Sequence, residues 1–147
     1  MSKTTVVFFR INQAIVRCPF VARVLLAPIY FIGWFWMTLL MNAMFSPHAE
    51  VGPGFGLRHG GQGGVIHANS VVGKNCTMGV ASCLDAIDGE QGAPRVGDDC
   101  YLGINTIVYG PVVIGDRVKT GANAVVITDL PSDVTAVGVP ATVLTKQ

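Results

Sequence analysis

Aliphatic residues return at every sixth position along the second half of the chain. Ile66, Val72, Met78, Leu84, Val96, Leu102, Val108, Ile114 and Val126 share one frame, with Thr120 as its polar member and a twelve-residue step from Leu84 to Val96. The residue after the frame position is glycine at Gly73, Gly79, Gly97, Gly103, Gly115 and Gly121. Four positions after the frame residue stands a small or β-branched one: Ser70, Cys76, Ser82, Cys100, Thr106, Val112, Val118 and Ala124. A helix of 3.6 residues per turn cannot keep a period of six on one face, and simple strand alternation does not call for glycine every sixth residue. Short parallel strands of a β-solenoid satisfy all three regularities: the aliphatic residue fills the interior, the small residue fits the corner beside it, and glycine takes the turn. The pattern predicts an all-β parallel β-helix over residues 46–147, preceded by an apolar helical segment over residues 1–45.

That leading segment contains a run of 26 residues, 24–49, without a formal charge. Its length passes the threshold of about 20 residues for spanning a bilayer. Basic residues ahead of a single span would leave the amino terminus inside and carry the solenoid outside the cytoplasm. Pro28 interrupts helix register early, and Gly33 with Trp34 and Trp36 suits a segment lying at head-group depth. Association with a membrane surface, helices packed against protein, and a true span are the three readings open to residues 1–45.

Charge sharpens the division. The net charge of +1 hides an acid-free stretch before Glu50 that carries Lys3, Arg10, Arg17 and Arg23, whereas the remaining six basic residues face all nine acidic ones. At 50% hydrophobic and 13% charged the chain is too apolar for disorder, and 147 residues suit one domain. The four cysteines, Cys18, Cys76, Cys83 and Cys100, have no CxxC spacing, and two fall at the small interior position. They read as reduced packing thiols of a cytoplasmic chain, peripheral at most to the inner face of the cytoplasmic membrane. No nucleic-acid partner is expected.

The hexads, the run Leu57, Arg58, His59, Gly60, Gly61, and the closing Gly138, Val139, Pro140, Ala141 together resemble the hexapeptide-repeat acyltransferases, in particular their serine acetyltransferase-like branch. The resemblance covers about residues 46–144. It implies a left-handed parallel β-helix, an exception to the right-handed crossover rule, assembled as a homotrimer with active sites between adjacent subunits and acetyl-CoA lying along the coils. His59 aligns with the family's catalytic histidine. A hydroxyl ionises far above neutrality, so a neutral imidazole must accept its proton as the oxygen attacks the thioester. The glycines around His59 leave room for a substrate and offer amides to a developing oxyanion. The cofactor-binding positions implied by alignment are Gly103, Ile104, Gly121 and Ala122 on the backbone, with Lys119 supplying charge near the nucleotide phosphates.

Departures from the serine enzymes accompany the match. Their orienting aspartate falls on Met44, the residue before the histidine is Arg58, and eight residues after it stands His67 where they carry glutamate. Their second active-site histidine is replaced by Ala93 before Pro94. Glu50 is a candidate carboxylate partner for His59 if the register slips. The loop 85–95 carries Asp85, Asp88 and Glu90, able to hold a sugar hydroxyl or simply to be solvated. These losses argue against free serine, and the stretch 92–98 looks more like the branch that acetylates sugars. The expectation is therefore an O-acetyltransferase that moves acetyl from acetyl-CoA to a hydroxyl of a glycan precursor by direct attack, with Arg58, His67, Glu50 and Asp85 as supporting or acceptor-binding residues. Serine O-acetyltransferase is the alternative, and a catalytically silent membrane- or partner-binding scaffold is the alternative of another class. No metal site is expected: the spacings of His48, His59 and His67 do not match the HxxxxH arrangement of the carbonic anhydrases that share this solenoid.

Overall fold

A computed structural model describes residues 2–89 and 91–144. Residues 145–147 and Glu90 of the loop lie outside the described residues. Strands of two or three residues wind into a three-faced prism. The first face stacks β1 (Met44–Phe45), β4 (Val65–Ile66), β7 (Cys83–Asp85), β10 (Ile107–Tyr109) and β13 (Val125–Val126), all parallel. The second stacks β2 (Glu50–Val51), β5 (Val71–Val72), β8 (Arg95–Val96) and β11 (Val113–Ile114). The third stacks β3 (Gly56–Leu57), β6 (Thr77–Met78), β9 (Tyr101–Leu102), β12 (Lys119–Thr120) and β14 (Thr135–Val137), closed by antiparallel β15 (Thr142–Val143). This is the parallel β-helix expected from the hexads.

Each frame residue enters the prism, and none of them is more than 3% exposed. They form three interior columns, for example Phe45, Ile66, Leu84, Val108 and Val126 behind the first face. Burial of each such side chain is worth about 1.5–3 kcal/mol. Thr120 is accommodated because its Oγ1 accepts from the Gly103 amide at 3.0 Å and meets Thr106 Oγ1 at 2.8 Å, so no polar group in this column is left unpaired.

The frame also runs one coil earlier than the hexads suggest, through Phe45, Val51 and Leu57, which pair with Ile66, Val72 and Met78. Three additional residues between Leu57 and Ile66 break the period there.

The turn role assigned to the repeat glycines is corrected. Gly79 does not have a positive φ; the left-handed residue of that corner is Ala81, at φ 56°. A Cβ on Gly79 would lie 2.6 Å from the carbonyl carbon of Gly103 in the next coil, so glycine is required by the close approach of stacked backbones.

The leading helices are α1 (Ser2–Val16) and α2 (Phe20–Phe35), continued by a π-helical turn at Trp36–Leu40. Helix α1 closes the otherwise open edge of the first coil. Arg10 donates to the carbonyls of Val51, at 2.6 Å, and of Gly52, while Gln13 Nε2 donates to Ala49 O at 2.8 Å. Phe9, fully buried, meets the Phe45 ring edge-on at 5.9 Å. These contacts satisfy carbonyls that no further coil covers. Arg10→Ala should cost about 2 kcal/mol, seen in a melting experiment as a fall in Tm of about 6 °C.

Candidate functional site

The three residues inserted between β3 and β4 build the candidate site. They swell the corner joining the third face to the first into a 3-10 turn, Arg58–Gly61, in which His59 takes φ 49° and ψ 35°. Such a left-handed backbone in a non-glycine residue is held by its surroundings. Gly61, at φ 71°, lies on the Phe45 ring, where a Cβ would come within 2.9 Å. The turn is thereby clamped to the core while the His59 side chain stays exposed. Among the described residues none hydrogen-bonds to its ring.

Later coils continue the same edge. Ala81 N donates to Gln62 O, Asn105 N to Val80 O and Asn123 N to Ile104 O, each at 2.8 Å, so the corners stack in a column above the His59 turn. Ile104, 47% exposed, and the exposed Ala122 stand outward on that column, each preceded by a glycine, Gly103 or Gly121, that lets the coils nest. On the adjoining third face Arg58 lies over the Tyr101 ring, 5.9 Å from its centroid, and Tyr101 pairs with Lys119. One edge of the prism thus gathers Arg58, His59, Gly103, Ile104, Lys119, Gly121 and Ala122. Tyr101, under the Arg58 guanidinium, was not singled out in the sequence. Its outward position one residue before the frame is the signal that could have found it.

The other candidates lie elsewhere in the chain. Met44, at the aspartate position, is 69% exposed at the start of β1. Glu50 is exposed on the second face. His67 and Asp85 sit at the corner between the first and second faces, where Nδ1 of His67 accepts from Asn69 N at 3.2 Å and Asp85 Oδ1 accepts from Ala86 N at 3.0 Å. Together with Tyr30, Trp34, Met37 and Ser46 they line a cavity of about 720 Å³ beneath α2. Within one chain this corner does not join the edge that carries His59.

Nucleophilic alternatives are weak. Burial, followed by the charge of Asp85, pushes the Cys83 thiol up to about 11, so it stays protonated at neutral pH. Cys76 and Cys100 are buried, and each donates its thiol to a backbone carbonyl at 3.0 Å, Gly97 O and Gly115 O. Among the described residues no three His, Cys, Asp or Glu side chains converge as a metal site would require.

Stacked hexads on three faces define a β-helix of the hexapeptide-repeat type. Residues 93–128 match the model of the bacterial transferase hexapeptide (six repeats), and the coil is that of the hexapeptide-repeat left-handed β-helix. It is 33% identical over 108 residues to the serine acetyltransferase of Synechococcus elongatus, covering 72% of this chain and 44% of that protein. Over 102 residues it is 37% identical to the serine acetyltransferase of Helicobacter pylori strain 26695, covering 68% and 59%. The crystal structure of Neisseria gonorrhoeae serine acetyltransferase in complex with serine superposes with a TM-score of 0.77 at 26% identity, over 96% of this chain and 55% of that one. The chain spans about half the length of the curated relatives it matches.

These likenesses overturn the expected sugar acceptor and the sugar-acetylating branch, because the relatives and the superposed structure are serine acetyltransferases. The expectation rested on a few replaced positions, and the likeness over about 100 residues outweighs them. His67 lies on a different edge from His59 within the chain, and Ala93 and Pro94 are buried.

Proposed function

We propose that this chain is an acetyl-CoA-dependent O-acetyltransferase of the serine acetyltransferase type. The observation that carries the reading is the single edge on which His59 shares a column with Ile104 and Ala122, next to the basic pair Arg58 and Lys119. His59 accepts the hydroxyl proton of the acceptor as that oxygen attacks the thioester carbonyl. The carbon–sulfur bond then breaks, and the imidazolium returns its proton to the departing thiolate. Ile104 and Ala122 offer an outward surface on which a pantetheine arm can lie, and Lys119 supplies positive charge for the nucleotide phosphates. Direct attack fits the protonated state of Cys83.

The reading includes a homotrimer. His59 is exposed, and the His67 and Asp85 corner lies on another edge of the prism, so a neighbouring copy is the means of bringing such a corner to it. Light scattering should give about three times the 15.5 kDa chain mass.

Arg58 is the residue beside the base able to hold an acceptor carboxylate, and its guanidinium lies over the Tyr101 ring. Arg58→Gln should raise the KM for serine by about tenfold with kcat little changed, as expected for loss of a charged hydrogen bond.

The reading as a whole is tested by incubating the full chain with acetyl-CoA and L-serine, titrating released thiol and identifying the product by mass spectrometry. Equimolar CoA and O-acetylserine are expected. Release of thiol no faster than hydrolysis, with serine unmodified, would reject serine as the acceptor.

A further inference from the structure

Helix α2 is the largest feature of the molecule that the proposed reaction leaves unused. With the π-helical turn it forms a 21-residue apolar rod, Phe20–Leu40, whose buried residues are Gly33 and Met37. At about 100° per residue, Phe20, Phe31, Val24, Val21, Ile32 and Leu25 fall in that order along one side of the helix, and no polar residue interrupts them. They are 77%, 59%, 57%, 70%, 57% and 75% exposed. The opposite side packs on α1 through Gly33, which is buried and leaves no room for a Cβ beside the Asn12 amide. One half of the circumference is thus fastened to the protein, while the other presents a continuous apolar stripe about 20 Å long. Exposed apolar surface of this extent marks an interaction site.

Charge selects the occupant. Arg17 and Arg23 stand at the amino-terminal end of the stripe, Lys3 is exposed on α1, and no acidic residue precedes Glu50. A second copy of the stripe offers these basic residues no acidic partner, whereas an anionic surface complements them. Because α2 packs against α1, which is itself fastened to the first coil, it can lie along an interface and is not free to cross one. We infer that the α2 stripe docks the protein on an anionic lipid bilayer surface, with the apolar side chains entering the head-group region and the arginines meeting lipid phosphates.

The test is co-sedimentation of the full chain with vesicles of phosphatidylcholine and phosphatidylglycerol, and with phosphatidylcholine alone. The same assay is run on the double variant Leu25→Glu, Phe31→Glu. Both side chains face solvent, so the variant should retain the wild-type melting temperature and CoA binding. The wild type should partition onto the anionic vesicles at least tenfold more than the variant, and less onto neutral vesicles or at high salt. Wild-type protein that stays in the supernatant with anionic vesicles, or a variant that pellets equally, would overturn the inference. So would a light-scattering mass in the absence of lipid that falls in the double variant, because the stripe would then be covered by a second copy. None of these outcomes depends on the identity of the acceptor.

Discussion

Replacement of His59 by alanine is expected to lower kcat for acetyl transfer by 100-fold or more while leaving acetyl-CoA binding and the oligomer intact. The imidazole is asked to do one thing, to take a proton from a hydroxyl at neutral pH, and positioned general bases contribute about 10²–10⁴. Its side chain is exposed and makes no hydrogen bond among the described residues, so its removal costs the fold little. The turn itself is held by Gly61 against Phe45. A steady-state assay of His59→Ala, read beside its melting curve, separates the two effects: slow turnover with unchanged melting supports the base role. Turnover within a factor of two or three of wild type would remove His59 from the chemistry.

The second large effect concerns the fold. Gly79→Ala should destabilise the protein by about 3 kcal/mol, a fall in Tm of about 10 °C. The new methyl would meet the Gly103 backbone at 2.6 Å, and neither chain can retreat without parting two coils. Gly89→Ala supplies the contrast. That glycine has φ 85° but nothing within 4 Å, so the change carries only the left-handed penalty of about 1 kcal/mol. If the repeat glycines served the turn, both variants would carry only the left-handed penalty and would melt alike. Thermal melts of the pair decide between close approach and backbone conformation.

The solenoid was legible because its cause is local and repeated. A column such as Ile66, Leu84, Val108 and Val126 needs an aliphatic side chain at the same place in every coil, and that requirement prints itself as a period. The first coil was not legible, since the three residues inserted around His59 shift Phe45, Val51 and Leu57 out of the frame. The same insertion that hides the coil builds the candidate site. The function of the glycines was misread because a six-residue period states where glycine is needed and not whether φ or contact distance demands it. His59 and the column of Ile104 and Ala122 were within reach of sequence reasoning, each lying at a fixed offset from the frame. The relation of His67 and Asp85 to His59 was not, because corners of a prism are adjacent in sequence and apart in space. Helix α2 could be read as apolar, but the stripe it presents depends on which side α1 occupies.

The claim beneath all of this is that the edge carrying His59, Ile104 and Ala122 holds the acyl donor. Isothermal titration of CoA into the wild type and into Ala122→Trp tests it most directly, since Ala122 is exposed and an indole there fills the column without entering the core. One saturable site per chain in the wild type, lost in Ala122→Trp while the melting temperature is retained, is the predicted result. Equal binding by both proteins, or no binding by either, would contradict it.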